Sequence, residues 1–148
     1  MIKIEEHGGR PELRGCVCQH LICEGYVCGS DPVTDANVVF ICVADEWCRF
    51  SIDCGVVFWR QQQDAPAPWS VPEEQWTYPH RNVGREFRLE GNVLVGVEIG
   101  RNQGQTHIAL QFVDGRTFRL IESHDRSRFE VSSATSEGQP QQSVGSDG

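Results

Sequence analysis

Lysine is almost missing from this chain of 148 residues: Lys3 stands against twelve arginines. Arginine codons are GC-rich, so the bias points to a GC-rich bacterial genome. No segment reaches the roughly 18 consecutive apolar residues of a membrane span, so no membrane contact is expected. The opening MIKIEEHGGR lacks the apolar stretch of a secretion signal, and a cytoplasmic protein is expected. Recognisable catalytic patterns are missing as well. There is no C-x-x-C, no H-E-x-x-H, no G-x-S-x-G elbow, no paired-carboxylate motif and no glycine loop that could cradle phosphate. Thioredoxin-like, zinc-protease and dinucleotide-binding classes are thereby set aside, and neither a cofactor nor a catalytic residue is expected. His107, His124 and Asp125 read as loop and surface polar groups. Long helical periodicity is absent too.

Acid is in excess. The net charge of −8 argues against a nucleic-acid binder, because neutralising phosphates needs a basic face. The acidity is uneven: residues 1–75 carry 12 acids and 5 bases, whereas 76–148 carry 9 acids and 8 bases. An acidic first half suits capture of a basic protein partner. Arg116, Arg119, Arg126 and Arg128 are interspersed with Asp114, Glu122 and Asp125 and read as a solvated mixed-charge hairpin.

What recurs along the chain is short apolar alternation broken by Gly, Asp and Asn, the signature of strands and turns. VVFICVADEWCRFSIDCGVVFW (38–59) reads as two strands turning near Asp45 and Glu46. HIALQFVDGRTFRLIE (107–122) reads as a second hairpin, turning at Asp114-Gly115. LRGCVCQHLIC (13–23) superposes on LEGNVLVGVEI (89–99), with Leu13 over Leu89, Gly15 over Gly91 and Val17 over Val93. The expectation is an all-β or β-dominated fold with minor helix, two similar β units sharing one core. Residues 1–60 form the first unit, 61–82 a linker rich in proline and tryptophan, 83–131 the second unit, and 132–148 a disordered tail. Ser70 and Glu73 are placed to cap a short helical turn in the linker.

Two groups of side chains invite a functional reading. CVCQHLIC with the following Cys28 sets Cys16, Cys18, His20, Cys23 and Cys28 close in sequence. A zinc site needs four converging ligands. On a strand over 16–23, Cys16 and Cys18 would share a face and Cys23 would point away. Cys18, Cys23 and Cys42 also fall over Leu94, Ile99 and Phe112 of the second copy. Core packing as small hydrophobes is therefore expected, with a metal site as the alternative. All seven cysteines are expected as thiols, in line with their odd number. The second group is Trp69, Trp76 and Tyr78, large aromatic side chains on the linker. They read as a lid over a sheet or as partner-binding anchors.

The segments ALQFVDGRTFRL and FICVADEWCRFSIDCGVVFW resemble strands of small uncharacterised bacterial domains, including those found among toxin-immunity proteins. The resemblance implies a small, acidic, cytosolic protein and carries over no functional residue. The expected function is a non-enzymatic binding protein, an immunity-like inhibitor of a basic partner. The alternative is a metal-binding protein using the 16–28 cysteines. A third reading is a small enzyme with an unfamiliar site.

Overall fold

Tight turns set the strand plan in the computed structural model, which describes residues 3–133. Ala44-Asp45, Cys54-Gly55, Gln103-Gly104 and His124-Asp125 all hold both residues at positive φ. That is the type I′ geometry, whose twist matches the strands it joins. Each such turn reverses the chain in two residues, giving β3 (Asp31–Val43), β4 (Glu46–Asp53) and β5 (Val56–Gln62) in one meander. It likewise gives β9 (Leu94–Asn102) with β10 (Gln105–Phe112), and β11 (Thr117–Ser123) with β12 (Arg126–Ser132). Strand accounts for 61% and helix for 5%, so the fold is β-dominated as the alternation predicts.

The larger sheet has eight strands. Its main path runs from β1 (Glu6–His7) through β5, β4, β3 and β2 (His20–Cys28) to β7 (Trp76–Tyr78) and β6 (Trp69–Val71). β8 (His80–Arg81) pairs with β2 beside β7. The smaller sheet is the antiparallel order β12-β11-β10-β9. The sheets bury one continuous core. The larger contributes Leu21, Cys23, Val39, Ile41, Phe50, Val57 and Trp59, the smaller Ile108, Leu110, Phe112, Phe118 and Leu120. One helical turn, α1 (Val83–Glu86), sits between the sheets in sequence. The Asn82 side chain caps it by accepting from Arg85 N at 3.0 Å.

Three expectations need correction. The stretch 38–59 holds parts of three strands, because Cys54-Gly55 makes a second turn. The segment 61–82 is not irregular. Its short strands β6, β7 and β8 extend the larger sheet, and Gly25 N donates to Pro79 O at 2.8 Å. A Cβ on Gly25 would lie 2.8 Å from Thr34 O, so only glycine lets the strands close up there. The turn in this segment is 3₁₀, over Pro72–Glu74, and starts from Val71 with no side-chain cap, so Ser70 and Glu73 do not form the capping pair.

The segments containing Val17 and Val93 meet in an antiparallel bridge. Gly15 N donates to Leu94 O and Gly91 N to Cys18 O, at 2.7 and 2.8 Å. Cys18 N donates to Asn92 O and Leu94 N to Cys16 O, both at 2.8 Å. Exchanging the two segments, residue 15 for 91 and so on, leaves this pattern unchanged. Of the tail at 132–148, residues 134–148 lie outside the described residues.

Candidate functional site

Strand alternation gives the larger sheet two faces. One carries the core; the other carries Glu24, Phe40, Arg49, Ser51, Phe58 and Arg60. Strands β6 to β8 run beside β2 at one side of this outer face. The indole of Trp69, half exposed, lies flat on the Tyr78 ring with centroids 3.9 Å apart and planes 9° from parallel. Tyr78 stacks in turn on Tyr26, and the edge of Trp76 meets Tyr26. Four aromatic side chains thus form a continuous cluster at the sheet edge.

A buried carboxylate holds this cluster in place. Glu24 Oε1 accepts from Trp69 Nε1 at 3.3 Å and lies 2.9 Å from His80 Nε2. His80 and Glu24 are direct cross-strand partners of β8 and β2. Burying a carboxylate is costly unless it is hydrogen-bonded, and here the indole and imidazole both meet its Oε1. The result is an exposed indole fixed in one orientation. The carboxyls of Asp31, Glu73 and Glu74 are exposed near this edge: Asp31 follows the Cys28↔Trp76 pairing, and Glu73 and Glu74 precede Trp76. Glu74 lies close enough to Tyr78 to act on its phenol. That phenol is raised above its ordinary pKa by desolvation first, and then by Tyr26, Glu24 and Glu74.

The cysteine group takes a different form. Strand β2 begins at His20, so Cys16 and Cys18 belong to the bridged segment before it rather than to a strand over 16–23. Cys18, Cys23, Cys42 and Cys48 are buried; Cys16 is half-buried; Cys28 and Cys54 are exposed. Burial, with Glu90 and Cys42 nearby, pushes the Cys18 thiol up to about 12. Burial raises Cys23 as well. His20 stacks on Trp47 and lies 3.6 Å from Glu90. Among the described residues, no three of Cys16, Cys18, His20, Cys23 and Cys28 bring ligand atoms together. The group that does is Asp53, Cys54 and Asp125, all exposed, where two type I′ turns meet. Sequence spacing gave no sign of it, since its members come from separate hairpins. His124 and Asp125 occupy one of these turns, and His107 packs against Gly100.

Sequence reading missed Glu24, His80, Arg49 and Arg60. Glu24 breaks the apolar alternation of LICEGYV, a polar residue at a buried position, and that is the signal that could have found it. The chain is a β protein of two packed sheets with an ordered aromatic edge. No family model, curated protein or solved structure matches it.

Proposed function

We propose that this protein is a non-catalytic, cytoplasmic binding protein that captures a basic segment of a partner protein at the Trp69–Tyr78 edge. The observation that carries this reading is Trp69: a half-exposed indole that Glu24 and Tyr78 hold rigid. An aromatic anchor fixed before binding loses little entropy when a partner docks. Faces of Trp and Tyr attract cationic side chains, and Asp31, Glu73 and Glu74 add negative charge beside them. The acidic first half would speed encounter with such a partner. An immunity-like inhibitory role is consistent with this chemistry. The exchange-invariant hydrogen bonds around Val17 and Val93 support an origin by tandem duplication.

The test uses a short lysine-rich peptide as probe. Binding should saturate, and added salt should slow association, because screening shortens the field to about 10 Å near 0.1 M. Trp69→Ala or Trp76→Ala should speed dissociation and weaken binding about 30-fold, the equivalent of about 2 kcal/mol. If folded Trp69→Ala binds the peptide as tightly as the parent, or if only its melting temperature falls, these aromatics seal the sheet and the reading fails.

A further inference from the structure

Beyond the aromatic edge, the outer face of the larger sheet holds an unusual pairing. Arg49 on β4 and Arg60 on β5 are direct cross-strand partners. Like charges directly opposite one another destabilise a sheet. Among the described strands no other paired positions set two guanidinium groups face to face. Among the described residues neither arginine has a carboxylate within ion-pairing distance, a state shared with Arg14, Arg88, Arg101, Arg119 and Arg126, whereas Arg10, Arg81, Arg85, Arg116 and Arg128 are paired. The Arg49 guanidinium is instead held over the ring of Phe40 at 5.7 Å. In a chain of net charge −8, acids are plentiful, so two adjacent uncompensated cations stand out.

The two arginines line a cavity of about 330 Å³ together with Ser51, Asp53, Phe58 and Trp59. Ser51 Oγ has no protein partner among the described residues. The pairing Ser51↔Phe58 forms the next row on this face, so the hydroxyl and the phenyl ring flank the cations. His7 stacks on one side of that ring at 5.3 Å and leaves the side toward Ser51 for a ligand. Asp53 is separated from Arg49 by Ser51 along the same face, which leaves the cationic end open to an anion.

We propose that Arg49 and Arg60 form a binding site for a phosphomonoester carried on an aromatic group. Each guanidinium can donate two parallel hydrogen bonds to phosphate oxygens. A phosphomonoester carries about −1.5 to −2 charge at pH 7, enough to compensate both cations; a carboxylate would leave one uncompensated. Ser51 Oγ supplies a further donor, and the aromatic body lies on Phe58. The same chemistry is offered by a free aromatic phosphate and by a phosphotyrosine side chain.

The experiment titrates the full-length protein with phenyl phosphate, following binding by calorimetry and the melting temperature in parallel. Saturable binding and a raised melting temperature are expected. Arg49→Gln and Arg60→Gln should each weaken binding at least tenfold. Arg60→Gln should not lower the melting temperature of the ligand-free protein, since it removes a repulsion, whereas Arg49→Gln also gives up the contact with the Phe40 ring. Inorganic phosphate and benzoate should each bind at least tenfold more weakly than phenyl phosphate. A phosphotyrosine peptide that binds more tightly than phenyl phosphate assigns the source to a protein; equal binding assigns it to a free small molecule. No saturable binding of phenyl phosphate, unchanged affinity in folded Arg49→Gln and Arg60→Gln proteins, or equal binding of benzoate overturns the proposal. Trp69→Ala should leave phenyl phosphate binding unchanged, which separates this site from the aromatic edge.

Discussion

The two sheets share a core yet treat their outer faces differently. Across the smaller sheet, one row runs Glu98, Ala109, Arg119, Glu130, so its arginine faces a carboxylate. Across the larger sheet, one row runs Ile22, Phe40, Arg49, Arg60, and its arginine faces another arginine. The smaller sheet follows the ordinary rule for cross-strand charge. The larger sheet breaks it, and the same face carries a buried carboxylate and an exposed, immobilised indole. Departures of this kind cost stability, so their concentration on one face marks that face as the one with work beyond folding. The smaller sheet reads as the support that completes the core. It also ties down the turn of the larger: Glu122 accepts from Gly55 N at 3.1 Å and Asp125 from Cys54 N at 3.3 Å.

The largest expected effect tests whether that support is energetically continuous. Phe50 and Phe118 are fully buried, one in each sheet. All four tryptophans, Trp47, Trp59, Trp69 and Trp76, lie in the larger sheet, so their fluorescence reports that sheet alone. With one shared core, Phe118→Ala should cost about 3–5 kcal/mol and lower the fluorescence midpoint in urea as much as Phe50→Ala does. The fluorescence and far-UV circular dichroism midpoints should coincide in both variants. A Phe118→Ala protein whose tryptophans unfold at the parental urea concentration would separate the sheets into two cores.

The two sheets also differ in how much of them the sequence reveals. Asp114-Gly115 announces its turn because glycine takes positive φ freely, and here Gly115 has φ 92°. Ala44-Asp45 and His124-Asp125 take positive φ with no glycine at all, so the turn chemistry was only partly visible. The first of these was placed near Asp45 by the break in apolar alternation, whereas β12 after His124 was missed. The strands β6 to β8 were hidden by their prolines; each is two or three residues long and is held by pairing to β2 rather than by its own propensity. Trp69, Trp76 and Tyr78 were legible as a group from composition, and they do cluster. Glu24, His80, Arg49 and Arg60 were not, because only strand register brings them together.

Cysteine supplies a second contrast of moderate size. All seven cysteines precede residue 55, and the smaller sheet packs its half of the core with Ile, Leu and Phe. Cys23 stands on the core face of β2 beside Leu21, both without solvent exposure. Cys42, expected in the core, is instead buried on the outer face beside Phe40 and lies outside the shared core. Cys23→Ala should therefore cost about 1–2 kcal/mol, the scale of a small lost group and its cavity, and Cys42→Ala less. A thiol reagent at mildly alkaline pH should label Cys28 and Cys54 in the folded protein, with Cys18, Cys23, Cys42 and Cys48 reacting only on unfolding. Labelling of Cys54 should need a pH above that of an ordinary thiol, because Asp125 and Asp53 raise its pKa. Mass spectrometry of the labelled peptides checks each position. Rapid labelling of Cys23 in folded protein would show that the larger sheet opens at β2 without global unfolding.

The smallest expected effect concerns acid. At the edge of the larger sheet, the Glu6 carboxylate accepts from Arg10 Nε at 2.8 Å and from Trp59 Nε1 at 2.5 Å. The Arg10 hydrogen bond chiefly, and then that of Trp59, hold its pKa below the ordinary 4.5. At the tip of the smaller sheet, the backbone N–H of Arg116 first, and then its side chain, hold Asp114 below 3.8. For both groups the folded-state pKa is the lower one. The stability each contributes is therefore complete above its ordinary value and is lost as pH falls through its folded value. The Glu6 contribution starts to fall at the higher pH, because its ordinary value is the higher. Glu6→Gln should cost about 1 kcal/mol or less at neutral pH, the scale of an accessible ion pair. Its deficit against the parent should shrink as pH drops from about 5 toward 3, since protonation removes the same charge from the parent. Asp114→Asn should behave alike but begin to converge at lower pH. Urea titrations of parent and variants at several acidic pH values read both curves. If the Glu6→Gln deficit is constant across that range, the contact works by packing Trp59 and not by charge, and the edge of the larger sheet is no more acid-sensitive than the tip of the smaller.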